Sequence, residues 1–112
     1  MENILTVSDY QKLASRTINT NLSEKDILIN SVMGLCGEAG EAIDIVKKHI
    51  AQGHDFNKEH FIEEIGDIAW YLAEAATAVD YDLGDILQQN IDKLKKRYPE
   101  GFKEEDSINR VN

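Results

Sequence analysis

Two pairs of acids in this sequence are spaced to act together. Glu38 and Glu41 are three residues apart, as are Glu64 and Asp67. On a helix, residues three apart share a face, with Cβ atoms ~5–6 Å apart. Each pair therefore offers two carboxylates to one point in space. At ~100° per residue, each pair lies at the border of an apolar stripe, beside Leu35 in one case and Phe61 in the other. Acids at such a border can point into a cleft between packed helices. Aligning Glu38 on Glu64 also puts Gly40 on Gly66 and Glu41 on Asp67, so the chain repeats the pattern E-x-G-acid. In an antiparallel hairpin the two segments would bring four carboxylates together. Such a cluster repels itself unless cations neutralise it. Oxygen-only ligands suit hard ions such as Mg²⁺ or Mn²⁺, which keep waters and bind substrate phosphates. The competing reading is solvated helix surface paired with lysines. A di-iron carboxylate bundle would need Glu-x-x-His on two helices. His49, His54 and His60 do not occupy such positions, and they read as solvent or loop residues.

Several other residues could meet an anionic ligand. Lys93 and Arg97 are four apart on one helix face, with Asn90 one turn earlier. Asn90 falls on an apolar stripe, where a polar side chain needs a partner. It is either a helix–helix hydrogen bond or a ligand contact. Lys47 and Lys48 follow the first acid pair by two turns. Trp70 and Tyr71 follow Asp67 and are either helix-interface residues or a stacking surface for a base. Lys95 and Lys96 read as solvated surface.

Helices must position these groups, because the apolar spacing is helical nearly throughout and no strand alternation is found. A first helix is marked by Val7, Leu13, Ala14 and Ile18, with Thr6 or Ser8 as cap. Ser23 with Asp26 signals the start of a second helix, which Gly53 stops. That helix carries Ile27, Leu28, Val32, Leu35, Ala39, Ala42, Ile43, Val46 and Ile50 in its stripe. Asn57 caps a third helix, with Phe61, Ile65, Ile68, Leu72 and Val79 as its stripe. Asp82 caps a fourth, with Leu83, Ile86, Leu87, Ile91 and Leu94 inward, and Pro99 ends it. Tyr98 and Phe102 are expected to pack the polar tail onto the bundle. Gly34, Gly37 and Gly40 either break the second helix or admit a close neighbour, since each costs ~1 kcal/mol against alanine. The expected architecture is all-α and four-helix-bundle-like, completed by oligomerisation. It forms a single domain over 1–112, with a motif-bearing core at about 24–98 and a tail at 99–112.

Composition narrows the function. The 112 residues carry 21 acids against 12 bases, a net charge of -9. That balance argues against direct nucleic-acid binding, which needs clustered Lys and Arg. The single cysteine, Cys36, excludes an internal disulfide and a cysteine-only zinc site. No apolar run approaches the ~20 residues of a membrane span. The opening MENILTVSDY lacks a signal-peptide pattern, so the expected location is cytoplasmic.

At GLCGEAGE and EEIGDIAWYL the chain resembles the MazG-like family of all-α nucleoside triphosphate pyrophosphohydrolases, in its short, single-domain phage and bacterial branch. The resemblance covers roughly residues 30–110 and includes Lys47-Lys48 and the run from Asn90 to Phe102. It differs in one respect: Gly37 stands where many members have an extra acid, although Glu63 keeps a doublet in the second motif. The resemblance implies Mg²⁺-dependent cleavage of a nucleoside triphosphate between the α- and β-phosphates, giving monophosphate and pyrophosphate. It implies that Glu38, Glu41, Glu64 and Asp67 are the metal-binding and catalytic acids, with Glu38 or Glu41 accepting a proton from water. Lys93 and Arg97 fall at the family's phosphate-contacting bases, and Asn90 at a polar pocket residue. Lys47, Trp70 and Tyr71 complete the candidate substrate-binding set. A homodimer or homotetramer and a role in cleansing the nucleotide pool are also implied. Two alternatives are a hydrolase confined to modified or deoxy nucleotides and a non-enzymatic helical interaction module with an acidic surface.

Overall fold

Four of the helices begin where a side chain can satisfy the free N–H groups of the first turn. In the computed structural model, which describes residues 6–111, these are α1 (Val7–Ser15), α2 (Glu24–Gln52), α3 (Lys58–Ala78) and α4 (Leu83–Arg97). The reading of the N-terminus rests partly on residues 1–5, which lie outside the described ones. Thr6 caps α1 and forms a reciprocal capping box with Asp9. Ser23, Asn57 and Asp82 accept backbone N–H bonds from Asp26, His60 and Asp85. Each such cap contributes ~1 kcal/mol. Gly53 ends α2 in the left-handed conformation at φ 75°, which glycine adopts without a Cβ penalty. Tyr98 ends α4 just ahead of Pro99. Two details differ from the sequence reading. Ile18 lies beyond the end of α1, and the tail contains a short helix, α5 (Glu104–Ile108).

α2 and α3 form a long antiparallel hairpin. α1 packs on α3 and α4, and α4 packs on α3. α2 runs unbroken through its three glycines. Only Gly34 meets a neighbour there: a Cβ on it would fall inside the Tyr71 ring, whereas Gly37 and Gly40 have nothing within 4 Å. Ala73, Ala76 and Leu83 are buried together, with Tyr10, Ala14 and Ile86 against them. Polar ties fasten α1 to this end. Gln11 donates to the Tyr81 carbonyl at 2.9 Å and accepts from the Leu83 N–H at 2.6 Å. Ser8 donates to Asp82 at 2.7 Å, and Trp70 Nε1 donates to Thr17 at 2.8 Å.

The single chain does not close a bundle. Its radius of gyration is 17.2 Å, against about 13 Å for a compact chain of this length. Much of the expected core is accordingly exposed. Leu28, Val32, Ile43 and Ile50 on α2, Ile65 and Leu72 on α3 with Val79 at its end, and Leu87, Ile91 and Leu94 on α4 all face solvent. The physical reason is a shortage of neighbours: among the described residues, α2 packs chiefly on α3. The tail also departs from expectation. Phe102 stacks on Tyr98 with ring centroids 5.4 Å apart, yet it stays 68% exposed.

Candidate metal centre

The hairpin brings the two acid motifs face to face. Glu38 and Glu41 come from the middle of α2, and Glu64 from the second turn of α3. Each offers one carboxylate oxygen, and these oxygens lie within 4.8 Å of one another. Glu64 is buried, Glu38 half-buried and Glu41 exposed. Among the described residues, Asp67 is not part of this group. It is exposed, and its charge is felt at Tyr10, whose phenol is raised first by burial and then by Asp67.

Crowding like charges has the expected electrostatic effect. Glu38 is pushed up to about 7, chiefly by its hydrogen bond to Glu64, then by burial and the nearby Glu41 charge. The same bond holds Glu64 below the usual carboxylate range, helped by Glu41 and His60. The two carboxylates share a proton, so the shifts belong to the pair. One oxygen of Glu38 and one of Glu64, Oε2 in each, is buried with no hydrogen-bond donor. Orphaned buried carboxylate oxygens in an all-oxygen cluster fit a hard divalent cation.

A cleft of about 860 Å³ opens beside Glu41. Its wall includes Gly37, Gly40, Asp44, Lys48, His54 and His60. Gly37 leaves its part of the wall without a side chain. Lys48, 3.2 Å from Asp44, holds that carboxyl below its usual range. Lys47 lies 3.6 Å from the same Asp44, so both lysines serve an acid of their own helix. His60 Nε2 lies 3.1 Å from Glu64 Oε1. His60 is exposed, as the sequence reading expected, but its contact with Glu64 was not foreseen. The i, i+4 step from His60 to Glu64 behind the Asn57 cap was the signal that could have found it.

Asn90 and Lys93 are exposed on α4 and Arg97 is half-buried. Among the described residues, no hydrogen bond or ion pair joins Asn90 or Lys93 to the acid cluster. Trp70 and Tyr71 pack edge to face at 5.0 Å. Trp70 is tied to Thr17 and Tyr71 fills the notch at Gly34, so both serve the helix interfaces of this chain. A further buried acid escaped the sequence reading. Glu74 is 2% exposed and accepts from the Asn30 amide at 3.1 Å.

An all-α hairpin that gathers three carboxylates beside an open cleft defines a helical protein with a candidate site for a hard cation. Residues 29–102 match the MazG nucleotide pyrophosphohydrolase domain family, and the chain belongs to that family. It is therefore a nucleotide pyrophosphohydrolase, acting on phosphoric anhydride bonds, and the reading as a non-enzymatic module falls away. The Gene 37 protein of Mycobacterium phage L5 is 35% identical over 82 residues, covering 70% of this chain and 72% of the relative. That similarity supports the short phage-type branch. No solved structure matches. No helix among the described residues is long and apolar enough to cross a membrane.

Proposed function

We propose that this protein hydrolyses nucleoside or deoxynucleoside triphosphates between the α- and β-phosphates, in an Mg²⁺-dependent reaction that Mn²⁺ also supports. One observation carries the reading: Glu38, Glu41 and Glu64 converge, and two of their buried oxygens lack any donor. These three residues would hold the cation, with Asp67 joining from the next turn of α3. The cation supplies neutralisation of the triphosphate and acidification of the attacking water. Glu41, exposed beside the cleft, would accept the water's proton. Lys93 and Arg97 would meet the outer phosphates, with Asn90 beside them and Lys47 as a further base. The exposed apolar faces support a homodimer or homotetramer. A role in cleansing the nucleotide pool and a cytoplasmic location belong to the same proposal.

The test is a panel of NTPs and dNTPs with Mg²⁺ in ¹⁸O-water. The expected products are monophosphate carrying the label and unlabelled pyrophosphate. Orthophosphate as the first product would overturn the proposed cleavage. Lys93→Ala and Arg97→Ala should each lower kcat/KM by about one to two orders of magnitude, at roughly 1.4 kcal/mol per tenfold. Lys95→Ala should stay near wild type, and all three should melt alike. Wild-type kinetics in both of the first two would move the phosphates elsewhere, with Lys47 and Lys48 next to test.

A further inference from the structure

Glu64 is the most buried of the three clustered acids, at 5% exposure. The last torsion of a glutamate is broad, so nothing intrinsic fixes the plane of its carboxylate. A metal ligand needs that plane fixed, and a neighbour must supply the restraint. The groups acting on Glu64 are two acids, Glu38 and Glu41, and one base, His60. The acids hold it only through a shared proton, which an entering cation displaces. The His60 contact does not depend on that proton. A carboxylate oxygen only accepts, so Nε2 of His60 donates to Glu64 Oε1, across 3.1 Å. Glu64 Oε2 is left buried with no donor.

We propose that His60 is a positioning residue for the metal centre, its Nε2–H holding Glu64 Oε1 so that Oε2 is presented to the cation shared with Glu38 and Glu41. The local sequence supports this division of labour. His60 precedes Glu64 by one helical turn, the i, i+4 step at which side chains meet. Its own backbone is pinned, because the His60 N–H donates to the Asn57 cap at 3.1 Å. The ring therefore starts from a fixed point at the mouth of the hairpin. Glu38 and Glu41 have no such donor on α2. Four residues before them stand Gly34 and Gly37, and four after stand Ala42 and Ile45. Glu64 is thus the one acid of the three held from its own helix.

This role rests on the metal-ligand reading of Glu64, and the experiment separates the two. Mn²⁺ binding to the full-length protein is measured by calorimetry at pH 8, with nucleotide kinetics alongside. His60→Ala should weaken Mn²⁺ binding by about tenfold to a hundredfold, the usual loss when a partner of a metal ligand is removed. His60→Gln places an amide N–H at the reach of Nε2 and should restore most of it. His60→Asn is one carbon shorter and should stay as weak as His60→Ala. Glu64→Gln should weaken binding at least as much, and adding His60→Ala to it should change little further. Wild-type Mn²⁺ affinity in Glu64→Gln would overturn the metal-ligand reading and the role of His60 with it. Weak binding in Glu64→Gln beside wild-type affinity in His60→Ala would overturn the positioning role alone. Because His60 also lines the cleft, a raised KM with unchanged Mn²⁺ affinity would make it a substrate contact instead. Equal losses in the Ala, Gln and Asn variants would show that the ring merely fills space, and would also sink the proposal. All variants keep the Asn57 cap, and matched thermal melts check that none of the losses is unfolding.

Discussion

The two acids buried among the described residues, Glu64 and Glu74, face different fates, and each yields a test. Glu38 and Glu64 share a proton because their carboxylates crowd each other, and Glu38 is pushed up to about 7. A cation entering the cluster must displace that proton. Binding should therefore weaken as pH falls below about 7, where the proton competes, and become pH-independent well above it. Calorimetry with Mn²⁺ at pH 7, in buffers of differing ionisation heat, should show release of about half a proton. Zero release would mean that the carboxylates are not the ligands. Glu74 has no cluster around it. Burial raises its pKa, offset in part by the Asn30 amide. The native state therefore binds this proton more tightly than the unfolded chain, and its contribution to stability declines as pH rises from the ordinary carboxylate range through the raised value. Glu74→Gln keeps an acceptor for Asn30 and removes the charge. It should raise Tm at pH 8, change little at pH 4.5, and flatten the profile between. An unchanged profile would show that the Glu74 carboxylate ionises in the fold without cost.

At the scale of elements, the starts and stops were legible and the inward faces were not. Thr6, Ser23, Asn57 and Asp82 cap the helices because their side chains reach the N–H three residues on, which is a local matter. The E-x-G-acid echo anticipated the meeting of Glu38, Glu41 and Glu64, but the same helix phase also brought in Asp67, which stands outside the group. Ile43, Leu87 and Ile91 were placed inward because periodicity reveals a stripe but not what covers it. Glu74 was invisible for the opposite reason: a charged residue reads as surface until a neighbouring helix supplies the Asn30 amide. Glycines show the same limit. Gly34 and Gly37 sit one turn apart in α2 with nothing in the sequence to rank them. A Cβ at Gly34 collides with Tyr71, whereas at Gly37 it meets open space. Gly34→Ala should cost about 1–3 kcal/mol through forced repacking, and Tyr71→Leu should recover part of that loss. Gly37→Ala should stabilise by up to ~1 kcal/mol through helix propensity. Urea titration of the three variants checks both signs. Equal effects at the two glycines would remove the Tyr71 notch from the account.

At the scale of the whole molecule, the extended shape bears on how stability is achieved. The buried apolar set in the described residues is small, namely Ile45, Ala73, Ala76 and Leu83. Ala73 and Ala76 contribute little area, so one chain has a thin core for its length. The missing burial is available on α2 and α4, where isoleucines and leucines face water. If copies associate through these faces, as proposed, folding becomes linked to protein concentration. Raising the concentration a hundredfold shifts a dimer equilibrium by roughly 2.7 kcal/mol, which is several degrees in Tm for a domain of this size. The melting temperature should therefore climb between micromolar and sub-millimolar protein. Ile43→Asp places a charge in the middle of the exposed α2 stripe, where the isolated chain leaves it in water. This substitution should lower Tm at high concentration, leave it nearly unchanged at low concentration, and flatten the slope between them. A wild-type Tm independent of concentration would mean that the thin core holds the chain alone. An Ile43→Asp slope equal to wild type would place the stabilising contact on the α4 face, through Leu87, Ile91 and Leu94, and away from α2.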